Sequence, residues 1–170
     1  EGRKSIHAAR KAKQFFEENG DEAEVFDPAE KDIPMLQERR YKVENPHPDV
    51  EEFGQKVEEA DGIVLVAPEY NHTYPGALKN LLDHLYPEYE DKPFSYITVS
   101  GGGFGGVRCL EQLKLLTVTL NGHPGPELPV SRVGSVFDEE GELVDKDYEE
   151  RFKDFVRDVS EHAEKFSSST

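Results

Sequence analysis

Residues 63–67, Ile-Val-Leu-Val-Ala, decide the fold of this chain. They form a continuous apolar run in which three of the five side chains are β-branched, and Pro68 follows at once. A strand that is covered on both faces has this pattern, because neither set of its alternating side chains meets water. The stretch therefore predicts a buried parallel strand, with helices on both faces of its sheet.

Helical and extended patterns alternate on both sides of this strand. Apolar side chains at helical spacing predict helices at residues 4–19, 50–60, 76–85, 110–120 and 147–166. Further strands are predicted at residues 23–27, 94–100 and 126–133, and four prolines predict an irregular connection at residues 28–48. Regular alternation of this kind predicts a doubly wound parallel sheet in a single α/β domain spanning residues 1–170.

The start of the chain does not match the usual start of such a fold. Doubly wound sheets begin with a strand, whereas the first predicted element here is a helix. The chain opens at Glu1, and its only methionine is Met35. We therefore expect a five-stranded sheet whose first strand precedes Glu1 and is absent from this chain.

The composition limits the classes of protein to which the chain can belong. A formal net charge of −16 argues against binding to nucleic acid, which needs a basic surface. The single cysteine, Cys109, excludes an internal disulfide framework and is typical of a reducing compartment, so we expect a cytoplasmic protein. No apolar run approaches the ~20 residues of a membrane-spanning helix, and the first residues do not resemble a signal peptide.

Three loops lie where an open parallel sheet binds its ligands, beyond the carboxyl ends of the strands. The first loop (residues 1–6) leads into a helix N-terminus and carries Arg3, Ser5 and Ile6. Backbone N–H groups and the helix dipole favour a phosphate there. Residues 1–13 also hold five basic side chains and one acidic one. Two alternatives stay open, namely that Ser5 is an ordinary N-cap and that the basic side chains form a solvated helix face.

The third loop (residues 100–106) contains five glycines in the six residues from Gly101 to Gly106. So many glycines increase the entropy lost on folding and supply no side chains for packing. Close approach of the backbone to a flat ligand would account for them, whereas an ordinary flexible turn would need only one or two. Phe104 is expected either to cover the ligand or to fill the core.

The second loop (residues 68–74) runs into the next helix, and residues 67–80 read Ala-Pro-Glu-Tyr-Asn-His-Thr-Tyr-Pro-Gly-Ala-Leu-Lys-Asn. This stretch, with Asp83 after it, closely resembles the signature of the NADPH-dependent FMN reductase family, including its chromate- and quinone-reductase types. The third loop, running into Arg108, is similar to the third flavin loop of that family. The resemblance extends from residue 1 to about residue 120 and is most specific at residues 67–83.

The resemblance implies a flavodoxin-like fold that holds FMN at these three loops. It assigns the FMN phosphate to the first loop, the isoalloxazine and ribityl chain to the second, and the other side of the ring to the third. The implied cofactor-binding residues are Arg3, Ser5, Ile6, Pro68, Glu69, Tyr70, Asn71, Gly101, Gly102, Gly103 and Phe104.

The resemblance also implies an NAD(P)H-dependent oxidoreductase. Hydride would pass from NADPH or NADH to flavin N5, and then on to a small-molecule acceptor such as a quinone or free flavin. Members of the family often pair near the flavin, so a homodimer or homotetramer is expected. The alternative is a flavodoxin-type electron carrier with no substrate of its own, and a second alternative is a relative without flavin that acts as a structural or regulatory partner.

No catalytic side chain is named, because the cofactor would carry this chemistry. His72 is a candidate proton donor, although a solvent-facing or interface position is the simpler interpretation. Glu69 is expected to orient neighbouring groups or to lie at an interface rather than to act as a catalytic carboxylate. The histidines show no metal-ligand spacing, and Cys109 is expected to be a small buried residue rather than a nucleophile.

Overall fold

The computed structural model describes residues 3–167, so Glu1 and Gly2 of the first loop and residues 168–170 lie outside the described residues. The helices are α1 (Ser5–Asn19), α2 (Pro48–Glu59), α3 (Gly76–Asp83), α4 (Val107–Thr119), α5 (Val133–Val136) and α6 (Lys146–Ser167). The strands are β1 (Ile63–Pro68), β2 (Pro93–Val99) and β3 (His123–Val130). Within residues 3–167, no helix is both long enough and apolar enough to cross a bilayer.

The three strands form one parallel sheet in the order β1-β2-β3, as the alternating sequence pattern predicts. Every residue of β2 is buried, whereas β1 alternates between half-buried and buried positions. The central buried strand is therefore β2 rather than the stretch at residues 63–67. The reason is that β2 has a strand on each side, while β1 pairs only with β2 in the described part of the chain.

β3 begins earlier and ends earlier than the predicted strand at residues 126–133. It contains Pro124, Pro126 and Pro129, which lack the N–H that a strand interior uses. These prolines are tolerated because, within residues 3–167, β3 bonds to one neighbour only. The register between β2 and β3 also shifts between Phe94 and Tyr96. Because the strand is rich in proline, the sequence pattern did not predict where it begins and ends.

Residues 23–27 do not form a strand, so this prediction is wrong. The segment joins no sheet among the described residues. Phe26 instead packs against Phe53 of α2, with ring centroids 5.0 Å apart. Alternating side chains predict only that one side of a segment is covered, whereas a strand also needs a backbone partner. The sheet therefore has three strands within residues 3–167, where the sequence predicted four.

Helices cover both faces of the sheet and create two separate cores. On one face, α1 and α6 pack against side chains of all three strands, including Val64, Val66 and Ile97. On the other face, α2, α3 and α4 pack against side chains that include Leu65 and Ala67. Successive residues of β1 thus point to opposite cores, as expected for a pleated strand. This arrangement confirms the doubly wound α/β fold.

The irregular connection at residues 28–47 is held against α2 by a half-buried guanidinium. Arg40 makes ion pairs with Glu51, Glu58 and Glu88 at N···O distances of 2.9, 2.6 and 2.9 Å. Hydrogen bonds from Arg40, first to Glu51 and then to Glu58, raise the pKa of the guanidinium above its ordinary value. Gly54 makes room for this side chain, because a Cβ at that position would overlap with the Arg40 side chain.

Candidate functional site

The described part of the first loop places Arg3, Ser5 and Ile6 at the start of α1. Arg3 is held by Asp27, with its Nη1 2.8 Å and 2.7 Å from the two carboxylate oxygens. Lys4 occupies the N-cap position with helical backbone angles, and no side chain caps the helix. Ser5 is already the first helical residue, so the alternative in which Ser5 is the N-cap is wrong.

The basic side chains of residues 3–13 are mostly neutralised by acidic neighbours. Ion pairs join Arg3 to Asp27, Arg10 to Glu30, Lys11 to Glu142 and Lys13 to Glu17. These pairs favour a solvated helix face over an anion site along the body of α1. Only Lys4 among these five cations has no ion pair within the described residues, and it lies at the helix N-terminus.

The second loop turns back on itself through Asn71 and His72. Tyr70 and Thr73 exchange two backbone hydrogen bonds, of 2.8 and 3.0 Å. The two residues between them have positive φ angles, 50° at Asn71 and 67° at His72. A two-residue turn of this handedness needs residues that tolerate the left-handed region, and asparagine is one of the few that do. The turn leaves Asn71 and His72 exposed at the sheet edge.

Glu69 connects the second loop to the start of α4. Its carboxylate accepts hydrogen bonds from the backbone N–H groups of Arg108 and Cys109, each at 3.1 Å. Its own N–H donates to the carbonyl of Val99 at 3.0 Å and continues the bonding between β1 and β2. The N-cap of α4 is Gly106, which has no side chain, so Glu69 supplies the capping group from a distant position.

Cys109 lies fully buried beneath this contact. Its Sγ is 3.9 Å from the carbonyl oxygen of Pro68, the last residue of β1. Burial, and then the neighbouring Glu69 carboxylate, raise the pKa of the Cys109 thiol to about 12. The thiol is therefore neutral at ordinary pH and a poor nucleophile. The interpretation of Cys109 as a small buried residue is confirmed.

The second half of the signature stabilises the fold away from the sheet edge. Asn80 donates to the carbonyl of Pro34 at 2.8 Å and accepts from the N–H of Leu36 at 3.0 Å. Lys79 and Asp83 form an ion pair on the same helix. The Leu-Lys-Asn segment thus holds the irregular connection against α3.

The glycines of the third loop fall into two groups. Gly105 and Gly106 have φ angles of +63° and +78°, and a Cβ on Gly105 would lie 2.7 Å from the Cβ of Pro129. The fold therefore requires glycine at these two positions. Gly101 and Gly102, in contrast, have no atom within 4 Å of an added Cβ, and Gly103 has only the Arg132 guanidinium nearby. Residues 101–103 thus present bare backbone that packing does not explain.

Phe104 lies outside the core, with 71% of its surface exposed. The guanidinium carbon of Arg108 is 5.6 Å from the centre of its ring. The alternative in which Phe104 fills the core is therefore wrong. An aromatic ring exposed beside bare glycine backbone provides a surface against which a flat ligand can pack.

A fourth segment, Ser131-Arg132, joins the site and was missed from the sequence. The N–H of Arg132 donates to the carbonyl of Gly102 at 2.8 Å, and the N–H of Val133 donates to the carbonyl of Ser100 at 3.0 Å. The Ser100 hydroxyl also donates to the Gly102 carbonyl, at 3.1 Å. Because the predicted strand extended through residue 133, it concealed the fact that Arg132 follows the strand and lies in a loop.

Four chain segments therefore form the candidate site at the sheet edge. Three of them follow β1, β2 and β3, and the fourth leads into α1. The site includes three cations without ion pairs in the described part of the chain, namely Lys4, Arg108 and Arg132. Residues 3–167 hold no cluster of His, Cys, Asp and Glu suited to a metal ion. These features define a doubly wound α/β protein of the class that holds its ligands at the carboxyl edge of the sheet.

Comparison with known proteins identifies the family within that class. The family model for NADPH-dependent FMN reductases matches residues 1–134, and the chain belongs to this family. This finding confirms the resemblance carried by residues 67–83.

Curated relatives agree with this assignment. An NAD(P)H-dependent FMN reductase of Schizosaccharomyces pombe is 47% identical over 77 residues, which cover 45% of this chain and 38% of the relative. An NADPH:quinone oxidoreductase of Arabidopsis thaliana is 41% identical over 113 residues, which cover 62% of this chain and 57% of the relative. The chain thus matches less than two thirds of the length of these relatives.

Solved structures share the fold. The flavoenzyme NAD(P)H:(acceptor) oxidoreductase FerB from Paracoccus denitrificans superposes with a TM-score of 0.78 at 19% identity, over 95% of this chain and 90% of that one. An FMN-dependent NADH-azoreductase from Bacillus anthracis, solved in complex with FMN, gives a TM-score of 0.56 at 16% identity, over 95% of this chain and 90% of that one. The fold is therefore flavodoxin-like.

Proposed function

We propose that the protein is an FMN-containing, NAD(P)H-dependent oxidoreductase that reduces a quinone, free flavin or a similar small acceptor. Membership of the NADPH-dependent FMN reductase family supports this proposal, as do the reductase names of the curated relatives. The structural observation that carries it is the bare backbone of residues 101–103, beside the exposed ring of Phe104. Packing within the chain does not require glycine there, whereas a flat ligand does.

The residues at the sheet edge fit FMN. The uncapped N-terminus of α1 offers Ser5 and Ile6 to the phosphate, with Lys4 beside them. Arg3 is proposed to contribute as well, although its pairing with Asp27 means that it would contact the phosphate only in part. Pro68, Tyr70 and Asn71 on one side, and Gly101, Gly102, Gly103 and Phe104 on the other, would hold the ring. Glu69 is proposed to position these two loops through its hydrogen bonds to α4.

FMN, when bound, supplies a ring that accepts hydride from the nicotinamide and passes electrons to the acceptor. The contribution of the protein is to bind and orient, so no acid–base side chain is assigned. His72 is exposed at the tip of the second-loop turn. This position is compatible with a solvent-facing or interface role.

We further propose a cytoplasmic homodimer or homotetramer. The single cysteine, which is free and buried, supports a reducing compartment and so a cytoplasmic location. Large apolar side chains exposed on α4, Leu115 at 64% and Val118 at 62%, support association of subunits. Light scattering coupled to gel filtration tests the oligomeric state, and a monomer at micromolar concentration would contradict this part of the proposal.

Steady-state turnover separates the enzyme from an electron carrier. The full-length protein, loaded with FMN, is mixed with NADPH or NADH and a water-soluble quinone, and nicotinamide oxidation is followed. The proposal expects multiple turnovers that depend on the quinone concentration. A protein that binds FMN but turns over no quinone or free flavin would instead be a carrier, and one that fails to bind FMN would be a flavin-free relative.

A further inference from the structure

Arg132 has an unusual backbone conformation for its residue type. Its φ and ψ angles are 47° and 46°, in the left-handed region. This conformation is strained for a residue that has a side chain. The backbone of Arg132 is nevertheless fixed, because its N–H donates to Gly102 at 2.8 Å and its carbonyl accepts from the N–H of Ser135 at 2.8 Å. Strain that the surrounding structure maintains in this way is typical of functional positions.

The side chain of Arg132 extends along the third loop. Its Nη2 lies 3.5 Å from the position that a Cβ on Gly103 would occupy. The residue is exposed, and it forms no ion pair within residues 3–167. Yet the chain has 36 acidic and 20 basic residues, so acidic partners are plentiful. The guanidinium therefore presents free donors to solvent directly beside the bare glycine backbone.

We propose that Arg132 is a specificity-determining residue that binds an oxyanion carried by a substrate approaching the third loop. A guanidinium matches phosphate and sulfonate groups because its planar fork donates two parallel hydrogen bonds. The oxyanion belongs either to the nicotinamide dinucleotide, through its phosphates, or to an anionic electron acceptor. This inference rests on the proposed function for the identity of its substrates.

The place of Arg132 in the fold separates it from the proposed FMN phosphate position. Arg132 follows β3, whereas α1 packs against β1, β2 and α6. The first loop therefore reaches the sheet edge from a different part of the structure. A ligand at Arg132 arrives from solvent over the third loop, which is where a substrate meets a ring held against that loop.

The test compares Arg132→Gln and Arg132→Gly with the unmodified protein. Glycine adopts the left-handed region without strain, so the second variant keeps the loop conformation while removing the guanidinium. Arg157→Gln on α6 is the matched control, since it removes an exposed arginine that is paired with Asp154 and Asp158. All four FMN-loaded proteins are assayed with NADPH and NADH, and with a neutral quinone and a sulfonated quinone.

Loss of a charge-assisted hydrogen bond predicts a fall in kcat/KM of about ten-fold or more for the substrate that carries the oxyanion. If kcat/KM falls for NADPH while that for NADH changes less than two-fold, the group bound by Arg132 is the 2′-phosphate of NADPH. An equal fall in kcat/KM for both dinucleotides, measured with the neutral quinone, identifies the pyrophosphate that they share. In that case the Arg132 variants must also bind inorganic pyrophosphate more weakly. A loss confined to the sulfonated quinone identifies the acceptor. Unchanged kinetics in both Arg132 variants would overturn the proposal.

Calorimetric titration with inorganic pyrophosphate and with 2′,5′-ADP provides a readout that is independent of turnover. Weaker binding of either anion in both Arg132 variants, but not in Arg157→Gln, supports the oxyanion site even if the unmodified protein oxidises no nicotinamide. In that case the proposed function fails while the Arg132 site stands. Equal binding of both anions by all proteins would overturn the site if turnover of the sulfonated quinone is also unchanged in the Arg132 variants. A loss that appears only as weaker FMN affinity would overturn it as well.

Discussion

The carboxylate of Glu69 accepts a hydrogen bond of 3.1 Å from the backbone N–H of Cys109, a residue 40 positions further along the chain. Through this contact, the loop after β1 caps the helix that follows the third loop. The N-terminal end of the α4 dipole is thereby complemented by a carboxylate from within the chain. An anionic ligand group is therefore better placed at α1, whose N-terminus has no side-chain cap and no acidic residue in its first turn.

Replacing Glu69 tests whether this contact positions the two loops. We expect Glu69→Ala to lower the free energy of unfolding by about 1–2 kcal/mol, as loss of an N-cap does. We also expect it to weaken FMN binding, because both loops lose their common anchor. Glu69→Gln keeps one acceptor oxygen, so its stability and FMN affinity are expected to lie between those of Glu69→Ala and the unmodified protein. Urea unfolding and FMN fluorescence quenching measure these effects, with Glu111→Gln on the exposed side of α4 as control. Unchanged FMN affinity in Glu69→Ala would contradict the positioning role.

The two groups of glycines in the third loop are expected to respond oppositely to alanine. Gly102→Ala leaves the free energy of unfolding within about 0.5 kcal/mol, as an exposed substitution does, but weakens FMN binding because its methyl group occupies the ligand face. Gly105→Ala lowers the free energy of unfolding by roughly 2–4 kcal/mol, since it adds left-handed strain and overlap with Pro129. Thermal unfolding of the apo-protein and FMN titration separate the two effects. If both variants lose stability alike, the assignment of residues 101–103 to a ligand face is wrong.

The ion pairs of Arg40 and the small size of Gly54 are expected to be energetically coupled. Arg40→Leu leaves the carboxylate of Glu88 buried without its partner and is expected to lower the free energy of unfolding by about 3–5 kcal/mol. Gly54→Ala destabilises the unmodified protein because its methyl group displaces Arg40. In the Arg40→Ala background, the same change is expected to stabilise the helix by roughly 0.5–1 kcal/mol. A double-mutant cycle in urea measures this change of sign, and additive effects would contradict the coupling.

The buried thiol of Cys109 predicts a loss of stability at alkaline pH. The folded state raises the pKa of the thiol from 9.0 to about 12, so the folded state holds the proton more tightly than the unfolded state does. The resulting stability is fully present below pH 9.0 and is lost as the pH rises from there towards about 12. Urea midpoints between pH 8 and pH 11 are therefore expected to fall less steeply in Cys109→Ala than in the unmodified protein. Identical slopes in the two proteins would contradict the raised pKa of the Cys109 thiol.

The sequence predicted the order of elements well because the helices and strands have distinct apolar periods. It failed at residues 23–27, because alternation cannot reveal whether a backbone partner is present. It also failed at Arg132, because an apolar and proline-rich run conceals the residue at which a strand ends. The signature at residues 67–83 includes the second loop of the candidate site, although Lys79, Asn80 and Asp83 stabilise the fold at some distance from that loop. That division of roles depends on contacts between residues far apart in the chain, which spacing does not encode.

Anaerobic reduction of the FMN-loaded full-length protein by NADPH tests the central claim most directly. The protein is mixed with one equivalent of NADPH in a stopped-flow instrument, and the yellow flavin absorbance is followed. An NAD(P)H-dependent oxidoreductase predicts rapid loss of that absorbance, followed by its recovery when a quinone is added. Flavin that stays oxidised with both NADPH and NADH, in a protein that demonstrably holds FMN, would contradict the proposed activity.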